Sequence, residues 1–167
     1  MYGKATEYSI AALSRLAEVY DDGKTRLSAQ EIAQDRGLLK PFVGKVLTTL
    51  SQAGLVKGSR GPGGGFTLGK HPSEIRIYDV FELFEREENS EVCPFGGGIC
   101  GVGVNCALHD KLAKVQDAVN HVLHETTFED FRVAVQEHGL KPTGASEVQD
   151  HHKRETYRAP YKRKGFP

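Results

Sequence analysis

Three cysteines and a histidine stand close together in this chain: Cys93, Cys100, Cys106 and His109 fall within seventeen residues. Thiolates are soft ligands that suit iron–sulfur clusters, zinc or Cu(I), and an imidazole can complete such a set. The intervening residues are rich in glycine (Gly96, Gly97, Gly98, Gly101 and Gly103). Glycines let a loop turn tightly and aim backbone N–H groups at a bound anion, as at many iron–sulfur sites. Structural zinc draws more often on close C-x2-C pairs, which this loop lacks. The residues alone therefore point first to an iron–sulfur cluster and leave zinc, redox-active thiols and inert cysteines open. Three is an odd count, so a complete disulfide framework is not expected. In a reducing compartment, clustered cysteines read as metal or redox chemistry. The isolated His71, His121, His124 and His138 read as surface or helix-packing residues.

The elements that must position these groups are those of an ordinary soluble protein. The 167 residues are 26% charged and 8% aromatic, enough for one compact domain with an appendage. Lys4, Glu7, Arg15 and Glu18 interrupt any signal-peptide core. No apolar run approaches bilayer length, so no membrane partner and a cytoplasmic location are expected. No paired carboxylates, Ser-His-Asp set or Cys-His nucleophile pattern argues for an enzyme or a small-molecule substrate.

The zero net charge is unevenly spread. Residues 1–70 hold ten Lys/Arg against six Asp/Glu, residues 71–150 six against fifteen, and residues 151–167 six against one. Within 36–70, Arg36, Lys40, Lys45, Lys57, Arg60 and Lys70 stand without a single acid. A block of that kind is an electrostatic footprint for a polyanion, although a solvated basic face would look the same.

Periodicity predicts a helix over 6–20, with Ile10, Leu13, Leu16, Ala17 and Tyr20 on one face. A second helix starts at the Ser28/Glu31 capping box, stapled by Leu27 and Ile32, and stops at Gly37. A third has Pro41 at its first position and an apolar face of Val43, Val46, Leu47 and Leu50. Its other face carries Lys40, Gly44, Lys45, Thr48 and Gln52. Two short helices joined by a tight turn form a helix-turn-helix, whose second helix would enter a major groove. Strands at 55–57 and 66–68 then flank a glycine-rich turn, 58–65, whose Arg60 suits a narrow minor groove. A phosphate-binding P-loop would need Gly-Lys-Ser/Thr opening a helix, and that is absent. DNA-contact candidates are Ser28, Lys40, Pro41, Gly44, Lys45, Thr48, Arg60, Gly61, Pro62 and Gly63. After the hairpin, Ile75 to Phe84 predicts a linking helix. Leu108, Leu112, Val115, Val119 and Val122 then follow the a/d rhythm of a helix that packs along a partner helix. Phe128 and Phe131 would dock the next segment. Residues 141–167 lack an apolar pattern and are expected to be largely disordered.

The stretch Ser28 to Leu68, with Ala53-Gly54-Leu55-Val56 running into Arg60-Gly61-Pro62-Gly63-Gly64-Gly65-Phe66, resembles the Rrf2 family, including its IscR- and NsrR-like members. The resemblance covers about residues 1–135. It implies a mainly α fold with a small β-hairpin wing: a winged helix-turn-helix with a long dimerisation helix. It implies a homodimer that binds partly palindromic, double-stranded operator DNA, with the long helix exchanged across the two-fold. It also implies an iron–sulfur cluster on Cys93, Cys100 and Cys106, though the gaps here are six and five residues where the family mostly has five and five. The Cys106-x2-His109 ending is similar to that of members with a [2Fe–2S] cluster, which is favoured over [4Fe–4S]. If a helix starts at Cys106, His109 lies one turn on, facing the same side. The rival fourth ligand is the partner subunit's Glu7, after the NsrR-like members; otherwise Glu7 is a first-turn carboxylate at a helix N-terminus. Leu39 departs from the serine common before the recognition helix, which implies a missing contact and a different operator. The implied organisation is 1–70 for the DNA-binding region, 71–92 for the linking helix and 93–106 for the cluster loop. Residues 107–138 would form the dimerisation and docking segment; 139–167, read from composition alone as a disordered basic tail, lies beyond the resemblance.

Overall fold

The computed structural model describes residues 3–85, 99, 102 and 107–139. The cysteine-bearing stretch, apart from Ile99 and Val102, and the chain from residue 140 lie outside the described residues. So do the expectations of a cluster loop and of a disordered basic tail.

The first helix, α1 (Lys4–Glu18), is the hub. It buries Ala12, Leu13, Leu16 and Ala17 and packs against α2 (Ala29–Arg36), α3 (Lys40–Gln52), α4 (Ile77–Phe84) and α6 (Phe128–His138). It starts two residues before the expected position and ends at Glu18, where the polar Asp21–Lys24 turn takes over. There the Asp21 carboxylate accepts from the Thr25 amide and hydroxyl, both at 2.7 Å.

The second helix follows its sequence signals closely. The Ser28 hydroxyl accepts from Glu31 N at 3.2 Å, and the Glu31 carboxylate accepts from Ser28 N at 2.7 Å. This reciprocal pair satisfies two amide donors that a helix start leaves without partners. Gly37 closes the helix at φ +64°, a left-handed conformation costly for residues with a Cβ. In α3, Pro41 is the second residue and not the first, because Lys40 is already helical. It remains in the first turn, where a missing N–H breaks no intrahelical bond.

The hairpin pairs β1 (Val56–Ser59) with β2 (Gly65–Leu68) in antiparallel register, Val56 opposite Leu68 and Ser59 opposite Gly65. Gly58 and Ser59, expected in the turn, are thus strand, and the turn shrinks to 60–64. Leu27 adds a third rung, exchanging hydrogen bonds of 3.0 and 2.7 Å with Phe66. The wing is thereby tied to the residue that precedes the α2 cap.

One hydrophobic core draws on every helix and both strands, with Leu13, Ile32, Leu47, Leu50, Ile75, Val80 and Phe128 among its buried members. Phe128 does dock the C-terminal helix: it is fully buried, and its amide donates to Ile75 O at 2.9 Å. Phe131 stacks on it, half-buried, with ring centroids 5.6 Å apart. Helix α5 (His109–Glu125) joins this core by few residues. Among the described residues no helix is long and apolar enough to cross a membrane.

Candidate nucleic-acid interface and metal ligands

The third helix buries Val43, Val46, Leu47 and Leu50. Lys40, Pro41, Lys45 and Thr48 are exposed. Gly44 sits among them, with no atom within 4 Å of where a Cβ would be. Among the described residues nothing requires glycine there. Lys40 Nζ donates to Gln30 Oε1 at 2.9 Å, which ties the start of α3 to the first turn of α2, two residues from the half-buried Ser28 cap. Thr48 donates its hydroxyl back to Gly44 O at 2.9 Å.

Leu39 occupies the N-cap of α3 without a side-chain cap and is 70% exposed. Its amide instead points at the Tyr8 hydroxyl on α1, at a long 3.5 Å, and the Tyr8 ring meets Phe42 edge-on at 4.7 Å. The departure from serine thus leaves the turn held from α1.

At the wing tip, Arg60, Gly61, Pro62 and Gly63 are all exposed. Gly61 and Gly63 take φ values of +96° and +72°. A Cβ on Gly64 would fall 2.5 Å from Ser59 O and 2.8 Å from Gly61 O. The glycine string therefore specifies one tight turn that carries Arg60 outward.

Two members of the acid-free block stand apart from the α3 face and the wing tip. Arg36 is almost wholly buried: its Nη2 meets Glu18 Oε1 at 2.6 Å and Ser14 Oγ at 3.3 Å, and its Nε donates to Ala11 O at 3.3 Å. It clamps α2 to α1 from inside. Lys57 stands opposite Thr67 in the hairpin and lines a cleft with Asp22 and Arg26. Charge counting treated Arg36 as footprint, since a one-dimensional tally cannot see an ion partner eighteen residues away.

Of the candidate metal ligands, Cys93, Cys100 and Cys106 lie outside the described residues, so their geometry is not part of this description. His109 is the first residue of α5 and is half-buried. Leu108 is its N-cap and Ala107–Leu108 form a turn. Helix α5 therefore begins at His109 and not three residues earlier, so the helical spacing on which the one-turn-on expectation was conditioned is not that of α5. Any approach of the two side chains depends on the turn, not on helical spacing. Glu7 is exposed in the first turn of α1 and accepts from Lys4 Nζ at 2.9 Å. Ser9, two residues on, is fully buried, its hydroxyl without a partner among the described residues, and could not reach an external ligand. Among the described residues no three His, Cys, Asp or Glu side chains converge as a metal site.

Sequence reasoning missed Glu85. It ends α4, and its carboxylate accepts from Gly3 N at 2.7 Å and from the Thr6 hydroxyl. These bonds to the Thr6 hydroxyl and then to the Gly3 amide hold its pKa below the usual glutamate value. The contact caps α1 from another helix, 82 residues away in sequence, and no local motif announces it.

The a/d stripe of α5 divides. Val119 is half-buried against the core, and Leu123, absent from the expected stripe, is the helix's one buried residue. Leu108, Val115 and Val122, seven residues apart, are 40%, 60% and 50% exposed. Leu112 lies between these extremes. Helix α5 thus has one apolar edge against its own domain and a second edge open.

Helix, tight turn, helix and glycine-tipped hairpin on a mainly α core define a winged helix-turn-helix, a DNA-binding fold. A family model described as Rrf2, an iron-dependent transcriptional regulator, matches residues 2–133. The chain belongs to the Rrf2 family of transcriptional regulators. It is 32% identical over 127 residues to the HTH-type transcriptional regulator CymR of Bacillus subtilis, covering 74% of this chain and 83% of that one. It is 28% identical over 125 residues to the HTH-type transcriptional regulator IscR of Cereibacter sphaeroides, covering 74% and 81%. The solved structure of B. subtilis CymR, described as a global cysteine regulator, superposes with a TM-score of 0.60 at 29% identity, covering 79% of this chain and 95% of that one. T. potens IscR shares the fold, with a TM-score of 0.61 at 23% identity, covering 88% and 96%.

Proposed function

We propose that this protein is a homodimeric regulator that reads operator DNA with α3 and the wing and is gated by an iron–sulfur cluster. The observation that carries the DNA half is the exposed Lys40, Lys45 and Thr48 around Gly44 on α3, beside Arg60 on a tight glycine turn. Ser28 and Pro41 sit where a helix start meets the phosphate backbone, and Gly61, Pro62 and Gly63 let the tip approach a groove. The open edge of α5 supports a symmetric dimer, which would set two recognition helices about one helical turn of DNA apart.

For the cluster, the donor set is chemically apt: three thiolates from Cys93, Cys100 and Cys106, with His109 as the fourth ligand and the partner subunit's Glu7 as the rival. Imidazole ligation accords with [2Fe–2S] in preference to [4Fe–4S]. When bound, the cluster supplies redox- or nitric-oxide-sensitive chemistry. The chain's own part is to hold it between α4 and α5, so that ordering of the loop biases where α5 lies and how the recognition helices are spaced. The location that fits this role is the cytoplasm.

The similarity to CymR favours a second reading, a cluster-free regulator answering to cysteine status. Anaerobic purification with absorption, EPR and iron/sulfide analysis, followed by operator binding with and without chelation, separates them. Cluster signals and a chelation-dependent affinity are expected. Iron-free protein whose affinity ignores chelation would pass the assignment to the second reading.

A further inference from the structure

A cleft of about 250 Å³ opens behind the wing, between the α1–α2 loop and the hairpin. Val56 and Leu68 face the core, so their strand neighbours Lys57 and Thr67, a cross-strand pair, project from the opposite face. That face is roofed by the 22–26 loop. A Cβ on Gly23 would lie 3.8 Å from Thr67 Cγ2 and 3.9 Å from Thr67 Oγ1. Thr67 is consequently only 5% exposed, and it lines the cleft together with Tyr20, Asp22, Arg26 and Lys57.

Among the described residues neither Arg26 nor Lys57 has a carboxylate partner. Nor does the Thr67 hydroxyl make a hydrogen bond among them. Asp22 is the one acid in the lining, and its charge also acts on Arg132, whose pKa is raised first by the Glu129 hydrogen bond and to a lesser degree by Asp22. A guanidinium fork, an ammonium and a nearly buried hydroxyl together present donors to one oxyanion. The volume falls below the roughly 300–1,000 Å³ of drug-sized sites, which suits a single phosphate group.

We propose that this cleft binds a phosphate-type oxyanion, held by Arg26 and Lys57 with the Thr67 hydroxyl donating to it. The anion is either a free phosphate or a backbone phosphate of bound DNA. The second source rests on the DNA-binding reading above; the first does not. Either would cross-link the 22–26 loop to the wing and fix the wing against α2.

The test uses full-length protein and the variants Arg26→Ala, Lys57→Ala and Thr67→Val. In the first arm, inorganic phosphate is titrated against chloride at constant ionic strength, reading the amide NMR signals of Gly23, Lys57 and Thr67. Saturable shifts are expected in wild type, with the phosphate Kd about tenfold weaker in either cation variant and several-fold weaker in Thr67→Val. In the second arm, operator affinity is measured across salt concentrations. A DNA phosphate in the cleft gives silent phosphate titrations, a log–log salt slope lowered by about 0.9 in each cation variant, and lower affinity in Thr67→Val at every salt. Thr67→Val decides between a built site and diffuse surface charge, because a near-isosteric loss of one hydroxyl leaves the field unchanged. Wild-type behaviour of Thr67→Val in both arms, or phosphate shifts no larger than those of chloride together with unaltered operator binding, overturns the proposal. The NMR arm needs neither DNA nor cluster, so its result stands apart from the proposed function.

Discussion

Arg36→Met separates the buried clamp from the DNA footprint. Glu18 and Arg36 have side chains only 1% and 5% exposed and meet at 2.6 Å. Removing the cation strands a buried carboxylate, a change that typically costs about 3–5 kcal/mol. Arg15 Nη1 still lies 3.3 Å from Glu18 Oε2, so the lower end, about 3 kcal/mol, is expected. Replacing both members, Glu18→Leu with Arg36→Met, removes the stranded charge and should recover most of that loss, leaving about 1 kcal/mol or less. Urea unfolding of wild type, both single variants and the double variant closes a double-mutant cycle with a coupling of about 2 kcal/mol or more. Native stability of about 5–15 kcal/mol leaves the single variant folded enough to assay. Its operator affinity should keep the wild-type salt slope, since a guanidinium turned inward releases no counterions. A fall of roughly 0.9 in that slope would place Arg36 on the DNA. A stability loss under about 1 kcal/mol would refute the clamp.

On the DNA face, Lys45→Ala and Arg60→Ala should each lower the salt slope by about 0.9, read by salt titration on an operator; unchanged slopes in both would contradict the interface. Gly64→Ala drives a methyl group into Ser59 O; operator affinity should fall about tenfold or more while the urea midpoint shifts little, because the turn lies outside the core. The Glu85 pKa is lowered by the Thr6 hydroxyl and Gly3 amide, so its contribution is present above the ordinary glutamate value and is lost as pH falls through the lowered folded value. Thermal melts should therefore drop more steeply in wild type than in Glu85→Gln as the pH goes from about 5 to about 3; parallel curves would count against it. After anaerobic reconstitution, His109→Ala should lose the wild-type spectrum and Glu7→Ala keep it; the reverse result transfers ligation to the partner's Glu7 and favours [4Fe–4S]. Val115→Glu on the open edge of α5 should shift sedimentation toward monomer at micromolar concentration, and an intact dimer would move the interface elsewhere.

Local signals were legible and distant ones were not. The Ser28/Glu31 box, the Gly37 stop and the glycine turn each write their geometry within a few residues, so α2 matched expectation almost to the residue and the wing appeared in place with a shorter turn and a longer first strand. What failed was what depends on partners far along the chain. Arg36 looked like footprint because Glu18, which buries it, lies on another helix. Leu27 looked like a hydrophobic staple alone because its bridge to Phe66 forms across 39 residues of sequence. Leu123 escaped the α5 stripe because a heptad template marks the edge facing a partner, and Leu123 faces its own domain. The cleft behind the wing is built from Asp22, Arg26, Lys57 and Thr67, whose spacing follows no motif; only the hairpin register and the loop that covers it bring them together.

Within the proposed gating, the distribution of contacts favours one moving part over the other. Helix α4 is anchored at both ends of its exit: Ile77 and Val80 are buried in the core, and Glu85 holds the Gly3 and Thr6 groups at the start of α1. Moving α4 would break charge-assisted bonds and expose core surface together. Helix α5 is held differently. Its buried Leu123 and half-buried Val119 lie in the C-terminal half, while from His109 to Ala118 only His109 and Leu112 are even half-buried. Bending or swinging that N-terminal half exposes little apolar area. The low-cost motions of a fold are drawn from its least-contacted segments. A change of state in the segment between Glu85 and His109 would therefore leave α4 and the helix-turn-helix fixed and appear at the start of α5, beside the open Leu108 and Val115 edge. In a dimer built on that edge, a small rotation there displaces the partner's recognition helix with the full length of α5 as the lever.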